Sequence, residues 1–152
     1  MKRMMALLGM MLILLTACGG ESAQVEIDVQ AAADQLAQSE LFGEDIFAID
    51  TSVIATMYPD LPEGTTAAVY ASSGALSDEV AVFKAPDEAG AEAIEEQAEQ
   101  RMDDREESYS DYMPDEADKL ENAVVERSGV YVVVVVCGDS DAAKEQVDAL
   151  FQ

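Results

Sequence analysis

The chain has 152 residues, enough for one domain that buries roughly two thirds of the surface exposed by its unfolded form. Its 32 acidic residues against eight basic ones give a formal charge of −24, a field that repels nucleic acid and other polyanions and attracts cations, basic peptides or a basic protein surface. Histidine is absent, which removes the usual zinc sites, the Ser/His and Cys/His nucleophile pairs and the commonest general base at neutral pH.

Met1-Lys2-Arg3 forms a short cationic segment, and Met4 to Leu15 an apolar run broken only by Gly9, which is the plan of a signal peptide. A membrane-spanning helix needs about 20 apolar residues, and this run stops too early, at Thr16-Ala17-Cys18. Leu15-Thr16-Ala17-Cys18 resembles a bacterial lipobox, in which small residues open the bond to the peptidase after the cysteine thiol has been joined to diacylglycerol. The expectation is therefore a removed lipoprotein signal peptide over residues 1–17, a lipidated Cys18 with a short tether over 18–26, and an acidic domain over 27–152. Two acyl chains, palmitate for example, suffice for stable anchoring because each buried CH2 contributes about 0.8 kcal/mol. Without Lys2 and Arg3, six basic residues face 32 acidic ones, a charge near −26. Cys137 is then left with no disulfide partner and reads as a buried thiol.

Along the domain, Asp28 caps a helix from Val29 to about Ser39, with Val29, Ala32, Ala33, Leu36 and Ala37 on one face. Ile46 to Tyr58 admits two readings: Ile46, Phe47 and Ile49 suit an extended segment, while Thr51 or Asp50 can cap a short helix through Met57 that Pro59 and Pro62 end. Thr65 to Ser72 and Glu79 to Lys84 read as strands joined through Ser72-Ser73-Gly74. From Pro86 to about Tyr112 the composition predicts a long helix. Its stripe is Ala91, Ile94, Ala98, Met102, Tyr109 and Tyr112, and Arg105 interrupts it, which implies fraying outward near Asp103 to Glu107. Pro114 forces a break, with a further turn from Asp115 to Leu120.

Ala123 to Arg127 and Val130 to Cys137 follow as a hairpin about Ser128-Gly129, the valine-rich second strand being suited to a central position covered on both faces. The last helix, Ala142 to Phe151, directs Ala143, Val147, Leu150 and Phe151 to the core. The predicted fold is a single α+β domain with a four-stranded, mainly antiparallel sheet of two hairpins, packed by the long helix, the C-terminal helix and the N-terminal helix.

No catalytic constellation, phosphate loop, metal site or cofactor motif emerges from the sequence. Asp103, Glu107 and Asp111 align at four-residue spacing and form a candidate cation face, since calcium prefers oxygen ligands. No Asp-x-Asp-x-Asp-Gly loop accompanies them, and a solvated face partly neutralised by Arg101 and Arg105 is the favoured reading.

Tyr109-Ser110-Asp111-Tyr112-Met113-Pro114, then Lys119 and Asn122 before a strand, then Gly129-Val130-Tyr131 complete the pattern. With the lipobox, the long acidic helix, the valine-rich strand and the terminal helix, the chain resembles a family of small Gram-positive lipoproteins catalogued as domain of unknown function 4358. The resemblance implies an extracytoplasmic lipoprotein on the outer face of the cytoplasmic membrane and carries over no catalytic residues. Tyr109, Tyr112, Pro114, Lys119 and Asn122 are the candidate interaction residues. The expected function is a membrane-anchored, non-catalytic binding or accessory module for a basic protein partner. The alternative is a small envelope enzyme or calcium-dependent binding protein using carboxylates.

Overall fold

The computed structural model describes residues 25–73 and 75–152, so the expected signal peptide over residues 1–17, Cys18 and the expected tether through residue 24 lie outside the described residues. Ten elements follow in chain order: α1 (Val29–Ala37), β1 (Ile46–Ala48), α2 (Thr51–Met57), β2 (Thr66–Ser72), β3 (Glu79–Lys84), α3 (Glu88–Tyr109), α4 (Pro114–Glu121), β4 (Val124–Ser128), β5 (Tyr131–Val136) and α5 (Ser140–Leu150). All strand pairs are antiparallel, in the order β1-β2-β3-β5-β4.

The sheet has five strands rather than the expected four. Both readings of Ile46 to Tyr58 are realised in succession: Ile46 to Ala48 pairs with Ser72 to Tyr70 as an edge strand, and Asp50 then caps α2 through the Ser52 amide at 2.9 Å. Three residues are too few for an alternating pattern to stand out, so the sequence alone does not separate the edge strand from a helix.

Side-chain alternation on β5 explains the architecture. Tyr131, Val133, Val135 and Cys137 point to a core shared with α1 and α5, while Val132, Val134 and Val136 point to a second core beneath α2, α3 and α4. The result is a helix–sheet–helix sandwich in which β5, flanked by β3 and β4, is buried along its whole length. Phe83 and Tyr58 meet edge-to-face in the second core, with ring centroids 4.9 Å apart.

Caps and turns set the boundaries. Asp28 accepts from the Ala31 amide, Asp87 from Gly90 and Asp139 from Ala142, each at 2.7–3.0 Å. Pro86 therefore precedes the cap of α3 instead of lying in its first turn. Pro114 does occupy the first turn of α4, so the break it causes opens a two-turn helix. Gly129 takes φ +56° in the β4–β5 turn, a region where a side chain would be strained.

Candidate functional site

Four buried polar residues, Ser77, Asp78, Glu79 and Glu116, converge on one seam where the start of β3 meets α3 and α4. Glu79, 1% exposed, accepts from the Tyr58 hydroxyl at 2.6 Å through Oε1, and from Arg101 and Arg105 at 3.0 Å each through Oε2. Arg105 also donates to the Ser77 carbonyl, and the Arg101 guanidinium lies 5.1 Å above the Tyr58 ring. Alongside, Ser77 donates its amide and hydroxyl to Glu116 at 2.7 Å each, and Lys119 bridges Asp78 at 3.0 Å and Glu116 at 3.1 Å. Three consecutive polar residues of the chain are thus clamped by three cations from two helices.

These contacts fix the charge states. Burial pushes the Tyr58 hydroxyl well above its ordinary pKa, and the charge of Glu79 adds to the effect. Burial opposes the charge of Arg101, but Glu79 more than offsets it and the pKa rises. Glu116 is likewise penalised by burial, yet the two hydrogen bonds from Ser77 and the Lys119 ammonium hold it below the usual carboxylate value. Lys119 is raised because Asp78 and Glu116 outweigh its own desolvation. The seam stabilises ionised groups and leaves Glu116 with no tendency to hold a proton at neutral pH.

Arg105 is consequently no interruption of the α3 stripe. The helix continues without fraying to Tyr109, because Arg101 and Arg105, one turn apart, turn inward to the buried carboxylate instead of neutralising the outer face. The sequence carries only a faint trace of this arrangement: Arg101 and Arg105 are four residues apart beside the apolar Ala98 and Met102, and Glu79 is the one acidic residue in the Glu79–Lys84 segment.

The five candidate interaction residues do not form one cluster. At the α3–α4 junction, Tyr109 and Tyr112 stack with centroids 5.5 Å apart and planes at 24°, and Met113 donates back to the Tyr109 carbonyl before Pro114 starts α4. Lys119 is turned into the seam. Asn122 ends α4, donates its side-chain amide to the Asp118 carbonyl at 2.8 Å, and shares with Lys119 and Cys137 the wall of a small cleft of about 330 Å3. Burial raises the Cys137 thiol, whose hydrogen points to the Asp139 carbonyl. Asp103, Glu107 and Asp111 are exposed, and among the described residues no group of three or more acidic or cysteine side chains converges as a metal-binding set.

All six lysines and arginines among the described residues form intramolecular ion pairs. Besides the three in the seam, Lys84 binds Glu26 at 2.7 Å, Arg127 binds Glu95 at 2.6 Å, and Lys144 binds Glu126 and Asp148. No helix among the described residues is long and apolar enough to cross a membrane.

Comparison with known proteins returns no matching curated protein and no matching solved structure. One family model does match, over residues 61–137, which is just over half of the chain and runs from the approach to β2 through the end of β5, taking in the whole seam apart from Tyr58. The chain belongs to the family described as domain of unknown function 4358.

Proposed function

We propose that this protein is a lipid-anchored, extracytoplasmic accessory module that presents an acidic surface to a basic protein partner on the outer face of the cytoplasmic membrane. The observation that carries the reading is the internal pairing of every described cation: with Arg101, Arg105 and Lys119 turned to the seam, the outer faces of α3 and α4 retain exposed carboxylates and little opposing charge. Support for a non-catalytic role comes from the ion pairs that commit Asp78, Glu79 and Glu116 to lysine or arginine, and from Glu116, which Ser77 and Lys119 hold as an anion. The anchoring rests on the signal-peptide plan and the Leu15-Thr16-Ala17-Cys18 box.

Two measurements test it. Cys18→Ala should abolish incorporation of labelled palmitate and leave residues 1–17 uncleaved; a variant that still incorporates palmitate would refute the anchoring through Cys18. From detergent-solubilised native membranes, the tagged wild-type chain should retain a basic partner at low salt and lose it at high salt. The combined Asp103→Asn, Glu107→Gln and Asp111→Asn variant should lose it at both, and equal retention by variant and wild type would sink the acidic-face reading.

A further inference from the structure

We infer that the stacked Tyr109–Tyr112 pair at the α3–α4 junction is the docking point of this module, and that it receives an arginine side chain of the partner; this inference rests on the basic-partner reading above. Two observations beyond the acidic composition single out the junction.

The first is the state of the ring. Among the described residues Tyr112 is 64% exposed, more than the other large apolar side chains open to solvent there, Val25, Phe47 and Val53. One of its faces lies on Tyr109, which is itself half-buried against the second core, so the ring is supported on one side while most of it stays open to solvent among the described residues. Immobilised aromatic rings are favourable anchors because little side-chain freedom remains to be lost on binding.

The second is position. The described chain enters at the Lys84 and Tyr131 end of the strands, where Glu26 pairs with Lys84 and the Ile27 amide donates to the Tyr131 hydroxyl. Helix α3 runs back along the sheet, reaches Glu79 at Arg101 and Arg105, and continues a further turn to Tyr109. The tyrosine pair thus occupies the end of the sandwich opposite the chain entry, beyond a strand about 20 Å long. A chain anchored through its N-terminus holds this end farthest from its attachment.

The chemistry selects arginine over lysine. A guanidinium plane can lie on the open face of Tyr112 while its fork donates to the neighbouring exposed Glu107 or Asp111, whereas an ammonium is a compact, strongly hydrated charge without a plane. Arg105 and Lys119, the nearest cations in sequence, are committed to Glu79, Asp78 and Glu116 and do not compete.

The test is a titration of the isotope-labelled full chain in detergent micelles with two short synthetic peptides, one alternating glycine with arginine and the other glycine with lysine. Amide shifts should centre on residues 107–115, and the arginine peptide should bind roughly two- to five-fold more tightly than the lysine peptide, the range for an exposed cation–π contact. Tyr112→Ala should reduce the arginine peptide to the affinity of the lysine peptide, Tyr112→Phe should preserve the preference, and Phe47→Ala should change nothing. Equal affinities, or a preference that survives Tyr112→Ala, would overturn the docking point while leaving the acidic-face reading intact. Absence of any binding at low salt would refute both, and palmitate incorporation into the Cys18→Ala protein would refute the anchoring alone.

Discussion

Replacing Glu79 with alanine removes the anion shared by Arg101 and Arg105 and the acceptor of the Tyr58 hydroxyl in a single step. Deleting one partner of a buried ion pair costs about 3–5 kcal/mol, because the remaining charge has no compensation. Here the two arginine side chains keep 20% and 19% exposure and recover part of their hydration, which places the charge penalty near the lower end, about 3 kcal/mol. The fully buried Tyr58 hydroxyl adds about 1 kcal/mol for its lost partner. The total, about 4 kcal/mol, is a large share of the 5–15 kcal/mol that typically separates a folded domain from its unfolded state, and corresponds to a fall in Tm on the order of 15 °C. Glu79→Gln keeps the volume and an acceptor for the Tyr58 hydroxyl but still leaves the two arginines without an anion, and should cost about 3 kcal/mol. Urea unfolding followed by circular dichroism measures both variants, with an unchanged denaturant slope showing that stability alone has moved. A Glu79→Ala protein within about 1 kcal/mol of wild type would show that the guanidinium groups are effectively solvated and that the seam does not hold α3 to the sheet.

Two further outcomes follow from the charge states. Glu116 has a folded-state pKa below its ordinary value of 4.5, so its contribution is present above that pH and is lost as pH falls through the lower folded value. Glu116→Gln should therefore lower stability at neutral pH and flatten the acid limb of a stability–pH curve below pH 4.5; an unchanged limb would contradict the assignment. Cys137, buried and with a raised thiol pKa, should resist iodoacetamide in the native protein and react once the chain is unfolded in urea, whereas rapid native labelling would show an accessible thiolate.

Most of the fold was legible because its signals are local. The Glu79–Lys84 strand has the predicted boundaries, Asp28 caps α1, and the valine run of β5 is buried on both faces as its lack of alternation implied. The fifth strand is only one of two readings of Ile46 to Tyr58 in the sequence, because three residues carry no period and the pairing with β2 depends on a partner more than twenty positions away. The seam escaped for a related reason. Arg101, Arg105 and Lys119 look like surface charges when each helix is read alone, and their partners Glu79, Asp78 and Glu116 become evident only when strand and helices are brought together. Of the interaction residues, Tyr109, Tyr112 and Pro114 mark a real junction, but Lys119 belongs to the buried seam and Asn122 to the end of α4.

The double duty of β5 bears on how the domain comes apart. Its even- and odd-numbered valines belong to different cores, so neither helical layer can detach without exposing the strand that supports the other. The two layers are therefore expected to melt as one cooperative unit, and the amides of Val132 to Val136 to exchange with solvent only through global opening. A partner pulling at the far end of α3 would strain that shared strand, passing mechanical load into the whole domain and not into one peelable helix.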